Sequence, residues 1–180
     1  MLAVKLRVDE GKARKSLEGL RKGIIRREKL EGVKLVWLPC AIVKVKMFEQ
    51  ERFANKQLNV SEVINVYDLV QAQWTGMSFS YFPEVEEIEV PALKKNYEVE
   101  DIVSRLKTLN SMRNYMAFAS YGISANAVGV EVEEAKEVCY PVYVGKISGK
   151  SGERFVAISG VSGNLTAINK ELAKIMWESA

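Results

Sequence analysis

Two stretches of the chain share one pattern of strands and turns. An apolar strand with a proline, a second apolar strand and a glycine turn follow one another at 36–76 and again at 138–163. The residue identities differ, so a chance coincidence of apolar strands is the alternative to a duplication. A repeated pattern predicts that the fold uses one small unit twice. Each stretch follows a helical segment, so the predicted unit is a helix leading into an antiparallel β-hairpin.

Helices that alternate with hairpins favour an α+β fold with antiparallel sheet over a parallel α/β fold. Apolar spacing predicts a first helix at 9–31, ended by Gly32, and a second helix at 97–118. Asn164 is the predicted N-cap of a last helix. The predicted strands are 2–8, 33–48, 60–70, 77–81, 128–132, 140–147 and 154–159. The domain prediction is a helix-hairpin unit at 1–83, an acidic connection at 84–96 and a second unit at 97–180, with one compact domain as the alternative.

The composition is that of a globular protein that folds without help. The chain has 180 residues, 48% of them hydrophobic, and a net charge of +3. Its first residues alternate apolar and polar like a strand, and lysines interrupt the most apolar stretch, so neither a secretory leader nor a membrane span is predicted. We therefore expect a cytoplasmic protein. Abundant Lys and Glu with scarce Gln and no His indicate a thermophilic source.

Histidine is absent from the sequence. Catalysis by Ser-His-Asp or Cys-His groups within this chain is thereby excluded, and two cysteines alone cannot complete a zinc site. We predict neither a metal nor a cofactor, although oxygen ligation of Mg²⁺ or Ca²⁺ stays open. Cys40 and Cys139 stand at different offsets from their neighbouring prolines and are predicted to be buried thiols, with a disulfide as the alternative.

The segment Gly149-Lys150-Ser151 is similar to the end of a phosphate-binding loop. That loop needs a glycine five positions before its Gly-Lys pair, and Val144 stands there instead. The residues that follow alternate like a strand, whereas a phosphate loop opens a helix. The segment is therefore predicted to be a hairpin turn.

Four basic residues of the first predicted helix lie opposite its apolar face: Lys15, Lys22, Arg26 and Lys29. Several cations on one face can follow the phosphates of a nucleic acid or contact another acidic partner. The alternative is a solvated polar face, because glutamates are interspersed among these cations.

Four aromatic residues occur within a short segment: Trp74, Phe79, Tyr81 and Phe82. If exposed, they would form a partner-binding surface, because aromatic side chains anchor protein partners and stack on bases. If buried, they would belong to a strand packed between two layers.

Seven acidic residues follow, between positions 84 and 101. Carboxylates that catalyse reactions converge in a pocket that shifts their pKa values, and this run shows no such pattern. We interpret them as solvated charges. Self-association is conceivable, with the basic helix of one copy against this acidic stretch of another.

These observations favour a non-enzymatic binding or protein-interaction protein. A nucleic-acid-binding accessory protein that uses the basic helix is the first alternative, and an enzyme that uses carboxylates and lysines is the second. A protein partner or self-association is predicted before nucleic acid, and no membrane contact is predicted. The sequence does not identify the partner.

Overall fold

The fold class predicted from the sequence is wrong. A computed structural model describes residues 1–20, 28–50, 58–112, 119–124 and 126–180, with the backbone alone at 50, 58 and 110–112. Of these residues 49% lie in strands and 21% in helices. The protein is thus mainly β, and hairpins do not alternate with helices.

Three helices lie in the described part of the chain: α1 (Glu10–Gly19), α2 (Val99–Met112) and α3 (Lys170–Ser179). The Asp9 side chain caps α1 by accepting the N–H of Lys12 at 2.8 Å. Asn169 caps α3 in the same way, so the last helix begins later than a cap at Asn164 predicted.

Helix α1 is much shorter than the predicted helix at 9–31. Glycine destabilises helix interiors by about 1 kcal/mol relative to alanine, and α1 ends at Gly19. Lys29 and Gly32 belong to a strand instead. A Cβ atom at position 32 would lie 3.0 Å from the Trp177 ring, so glycine here gives that ring space against the strand.

The described residues contain seven strands: β1 (Leu2–Val4), β2 (Lys29–Gln50), β3 (Leu58–Asp68), β4 (Trp74–Phe79), β5 (Val85–Glu87), β6 (Ala127–Gly149) and β7 (Gly152–Ser159). They are hydrogen-bonded in the order β4-β3-β2-β6-β1-β5, and β7 pairs with β6. Ala3 of β1 pairs with Cys139 in a parallel arrangement, while β2–β3, β3–β4, β6–β7 and β1–β5 are antiparallel. The predicted acidic connection therefore contains a strand, β5.

The chain forms two compact units, each assembled from separate segments. Unit 1 comprises Met1–Pro39, Glu84–Lys94 and Val138–Ala180, and unit 2 comprises Cys40–Pro83 and Lys95–Glu137. The predicted division of the linear chain at 1–83, 84–96 and 97–180 stays a prediction.

Each unit has a core in which one helix covers one face of a hairpin. In unit 1, Leu17 of α1 is buried with Tyr143 and Ile158 of the β6–β7 hairpin. In unit 2, Leu106 of α2 is buried with Val43 of the β2–β3 hairpin. Side chains on alternate strand positions point away from these helices.

The two hairpins end in the same local geometry. Asp68 ends β3 and Ser159 ends β7, and each side chain accepts the backbone N–H groups two and three positions later. Thr75 and Thr166 each donate a hydroxyl hydrogen bond to the carbonyl nine positions earlier. The pattern shared by the two stretches thus corresponds to shared contacts, while a duplication of the chain stays a prediction.

The predicted turn and the predicted thiols are confirmed. Gly149 pairs with Gly152, so Lys150 and Ser151 form a two-residue hairpin turn. Cys40 and Cys139 are both buried thiols. The Cys139 thiol lies 3.0 Å from the Met1 sulfur.

Candidate functional site: an aromatic surface after strand β4

The aromatic segment begins in strand β4 of unit 2. Thr75 and Met77 are buried, and Gly76 has a φ of +76° at the point where the register between β3 and β4 shifts. A bulge of this kind bends a strand. Phe79 is the last residue of β4 and pairs with Ile64. The chain then leaves the sheet through two bends at Ser80 and Tyr81.

Tyr81 is the most exposed large apolar side chain among the described residues, with 84% of its surface accessible. Phe82 is half-buried, and the Lys136 ammonium lies 4.7 Å from its ring centroid. The same ammonium is 2.6 Å from Glu134 Oε1. We call Phe79, Tyr81, Phe82 and Lys136 the aromatic site.

Trp74, the fourth predicted aromatic, is not part of this site. It packs against the core of unit 2, and its ring lies so close to Gly122 that a Cβ there would approach it to 2.5 Å. Gly122 also has a φ of +69°, which favours glycine. The Trp74 indole N–H is buried and has no hydrogen-bond partner in the described part of the chain. Trp74 therefore has a packing role.

A charged network lies on the sheet face opposite α2. The Lys44 ammonium is 2.7 Å from Glu133 Oε2 and 2.9 Å from Glu62 Oε2, and the Lys46 ammonium is 2.9 Å from Glu133 Oε1. Hydrogen bonds from the two lysines hold the pKa of Glu133 below its usual range. The hydrogen bond to Glu133 is also the main cause that raises the pKa of Lys44. A side chain that transfers protons near neutral pH needs a raised carboxyl pKa or a lowered lysine pKa. The pKa shifts here have the opposite directions, so these side chains stay charged.

Asp68 is a buried carboxylate in unit 2. Its oxygens accept the N–H groups of Val70 at 3.1 Å, Gln71 at 2.5 Å and Gln73 at 3.1 Å. Burial raises its pKa, and these three hydrogen bonds oppose the increase. The carboxylate is engaged with the turn after β3, which gives it a structural role.

The predicted basic set is not brought together on one helix. Lys15 is exposed on α1. Lys29 is exposed at the start of β2, 3.7 Å from Glu31 Oε2. Lys22 and Arg26 lie outside the described residues.

The predicted acidic residues are exposed. Glu84 lies 3.6 Å from the Lys5 ammonium and 3.5 Å from the Arg7 guanidinium, and Glu98 lies 2.5 Å from the Lys95 ammonium. Glu86 and Glu87 lie in β5. Within the described ranges, no three His, Cys, Asp or Glu side chains are grouped as metal ligands.

The sequence interpretation missed Lys136, which lies over Phe82, and the charged network of Lys44, Lys46 and Glu133 in unit 2. Lys44 and Lys46 alternate within an apolar strand, which is a signal for two cations on one sheet face. Lys136 is a single cation in the acidic run 131–137, and nothing in the sequence relates it to Phe82.

Comparisons of the chain with protein-family models, curated proteins and solved structures found no match. None of the described helices has both the length and the apolar character needed to cross a bilayer.

Proposed function

We propose that this is a binding protein that contacts a protein partner through the aromatic site. The main evidence is that Tyr81 is 84% exposed next to Phe82, whose ring contacts Lys136. Leaving an aromatic side chain in water forgoes its burial, which contributes about 1.5–3 kcal/mol for a large apolar side chain. Tyrosine is also enriched among the residues that dominate interface energies.

The pairing of charges in unit 2 supports a protein partner over nucleic acid at the aromatic site. Lys136 is matched by Glu134, and Lys44 and Lys46 are matched by Glu133. A phosphate backbone is bound by unmatched cations, and its binding weakens steeply as salt neutralises them. Matched charges instead form the polar rim that surrounds an apolar anchor in protein interfaces.

The experiment is site-specific photo-crosslinking in the cells that produce the protein. A photoreactive phenylalanine analogue replaces Tyr81 in one variant and Leu165, which is 58% exposed in unit 1, in the control. We expect a defined protein adduct at position 81 that is absent at position 165. Equal labelling at both positions, or no protein adduct at position 81, would contradict the proposal.

A second candidate is supported by the distribution of charge along the chain. Unit 1 contains 17 Lys and Arg against 12 Asp and Glu, a net charge of +5, while unit 2 contains 9 against 11, a net charge of −2. Unit 1 is therefore the part that would attract nucleic acid or another acidic partner. A cytoplasmic location and a thermophilic source remain expectations beside either function.

A further inference from the structure

Each unit places a lysine over an aromatic ring. In unit 1 the Lys34 ammonium lies 4.8 Å from the Trp177 ring centroid, and in unit 2 the Lys136 ammonium lies 4.7 Å from the Phe82 ring centroid. Lys34 precedes Pro39 by five positions on β2, as Lys136 precedes Pro141 on β6. The two lysines therefore occupy matching positions on matching strands.

Other charged contacts on this sheet face also match. Lys44 pairs with Glu62 on the β2–β3 hairpin at 2.9 Å, and Lys146 pairs with Glu153 on the β6–β7 hairpin at 2.6 Å. The face that carries the aromatic ring thus has a lysine–glutamate pair at matching positions in both units.

A helix supplies the ring in unit 1. Trp177 belongs to α3, lies 6.1 Å from Phe155 of β7 between ring centroids, and fits against Gly32 of β2. The Lys34 ammonium also donates to the Trp177 carbonyl at 2.9 Å and to the Ala180 carbonyl at 3.2 Å. A cation here satisfies the carbonyl groups that a helix leaves unbonded at its C-terminus. Helix α1 covers the other face of the same hairpin.

No helix of the described residues supplies the ring in unit 2. Helix α2 covers the opposite face, through Ile102 and Leu106. Phe82 comes from a short non-helical segment, and this leaves Tyr81 exposed next to it. In unit 1 a helix therefore packs on this face and supplies the ring. In unit 2 only the Phe82 ring takes the corresponding place over the lysine.

We infer that the aromatic site binds an amphipathic helix of a partner protein. The inference rests on the proposed function and names the form of the partner. The apolar side of that helix packs on Tyr81 and Phe82, in the helix-in-groove mode. Its C-terminal carbonyl groups face Lys136, as those of α3 face Lys34.

The chain provides a suitable probe, because α3 is a helix that fits the matching face. A peptide with the sequence of residues 166–180, acetylated at its N-terminus, is titrated into the isotope-labelled full-length protein, followed by NMR. We expect saturable shifts at Tyr81, Phe82 and Lys136 with a Kd of about 1 mM or tighter. A control peptide with Met176→Ser and Trp177→Ser loses two large side chains of the apolar side and is expected to bind at least about tenfold more weakly.

Two protein variants test the location. Tyr81→Ser changes a side chain that is almost wholly in water, so the fold is expected to tolerate it while peptide affinity falls about tenfold. Leu165→Ser changes an exposed residue of unit 1 and is expected to leave the affinity unchanged.

The inference is overturned if the shifts are confined to Gly32, Lys34 and Phe155, because the peptide is then replacing α3 in unit 1. It is also overturned if Tyr81→Ser binds as tightly as wild type, or if no saturable shift occurs at millimolar peptide. A protein adduct at position 81 with any of these results leaves the proposed function standing with a non-helical partner. Failure of the crosslinking experiment refutes the proposed function itself.

Discussion

At the scale of single residues, Asp68 and Ser159 cap equivalent turns with different side chains. Both side chains accept two N–H groups of the turn that follows, but only Asp68 brings a buried charge. Burial raises the pKa of Asp68 above 3.8, so the folded state binds a proton more strongly than the unfolded state does. Stability then falls as the pH rises from 3.8 through the pKa of the folded protein.

The substitution Asp68→Ser tests this interpretation. It removes the titrating group and keeps an acceptor of the kind that Ser159 provides, while the hydrogen bond to Gln73 is lost. That loss costs about 1–3 kcal/mol at every pH. Urea unfolding is expected to show wild type losing stability relative to the variant as the pH rises from 3.8 through the raised pKa of folded Asp68. A difference that is the same at every pH would contradict the role of burial, and Glu100→Gln is the exposed-carboxylate control.

At the scale of elements, matching glutamates of the two units have different partners. Glu133 accepts hydrogen bonds from two lysines, whereas Glu31, at the matching position of β2, accepts one from Ser148 and has the Lys29 ammonium 3.7 Å away. Hydrogen bonds lower the pKa of both carboxyl groups, from Lys44 for Glu133 and from Ser148 for Glu31. Their stabilising contributions are present above the unfolded pKa and are lost as the pH falls through the folded pKa.

We therefore expect Glu133→Gln to lower the urea midpoint at pH 7 more than Glu31→Gln does. Both effects should shrink as the pH falls below 4.5, where the wild-type carboxyl groups begin to protonate. Added salt should reduce the effect at Glu133, because it screens two partly exposed ion pairs. Equal midpoints for the two variants at pH 7 would show that the second lysine contributes nothing.

The strands were more predictable from the sequence than the helices or the pairing. The predicted strand at 60–70 overlaps β3 (Leu58–Asp68), because an apolar run bounded by turn residues is a local signal. The predicted helix at 9–31 is confirmed only over Glu10–Gly19 among the described residues, and Lys29 already belongs to a strand. The strand β6 crosses Pro141 without a break, which no local rule predicts. The parallel pairing of Ala3 with Cys139 joins distant parts of the sequence and has no local signal at all.

The candidate site was predictable only in part. The aromatic cluster is visible in the sequence, but exposure separates Tyr81 from Trp74, and exposure depends on tertiary packing. The lysine over Phe82 comes from β6, far along the chain. The basic helix was identified from a periodicity that continues past Gly19, where α1 ends.

At the scale of the whole molecule, the two units carry charge of opposite sign, +5 on unit 1 and −2 on unit 2. The two candidate functions therefore belong to different units. A protein partner is proposed at the aromatic site of unit 2, while a polyanion is the alternative partner proposed for unit 1. Mapping where single-stranded RNA contacts the protein therefore tests the second candidate without disturbing the first.

We expect any binding of a labelled RNA oligonucleotide to weaken with salt and to depend on the exposed cations of unit 1. Lys15→Glu should weaken binding at low salt and reduce the slope of log K against log salt by about 1 if Lys15 contacts a phosphate. Lys107→Glu makes the same charge change at an exposed residue of α2 in unit 2 and serves as the control. If the two variants weaken binding equally, the attraction follows net charge alone, and unit 1 contains no nucleic-acid surface at Lys15.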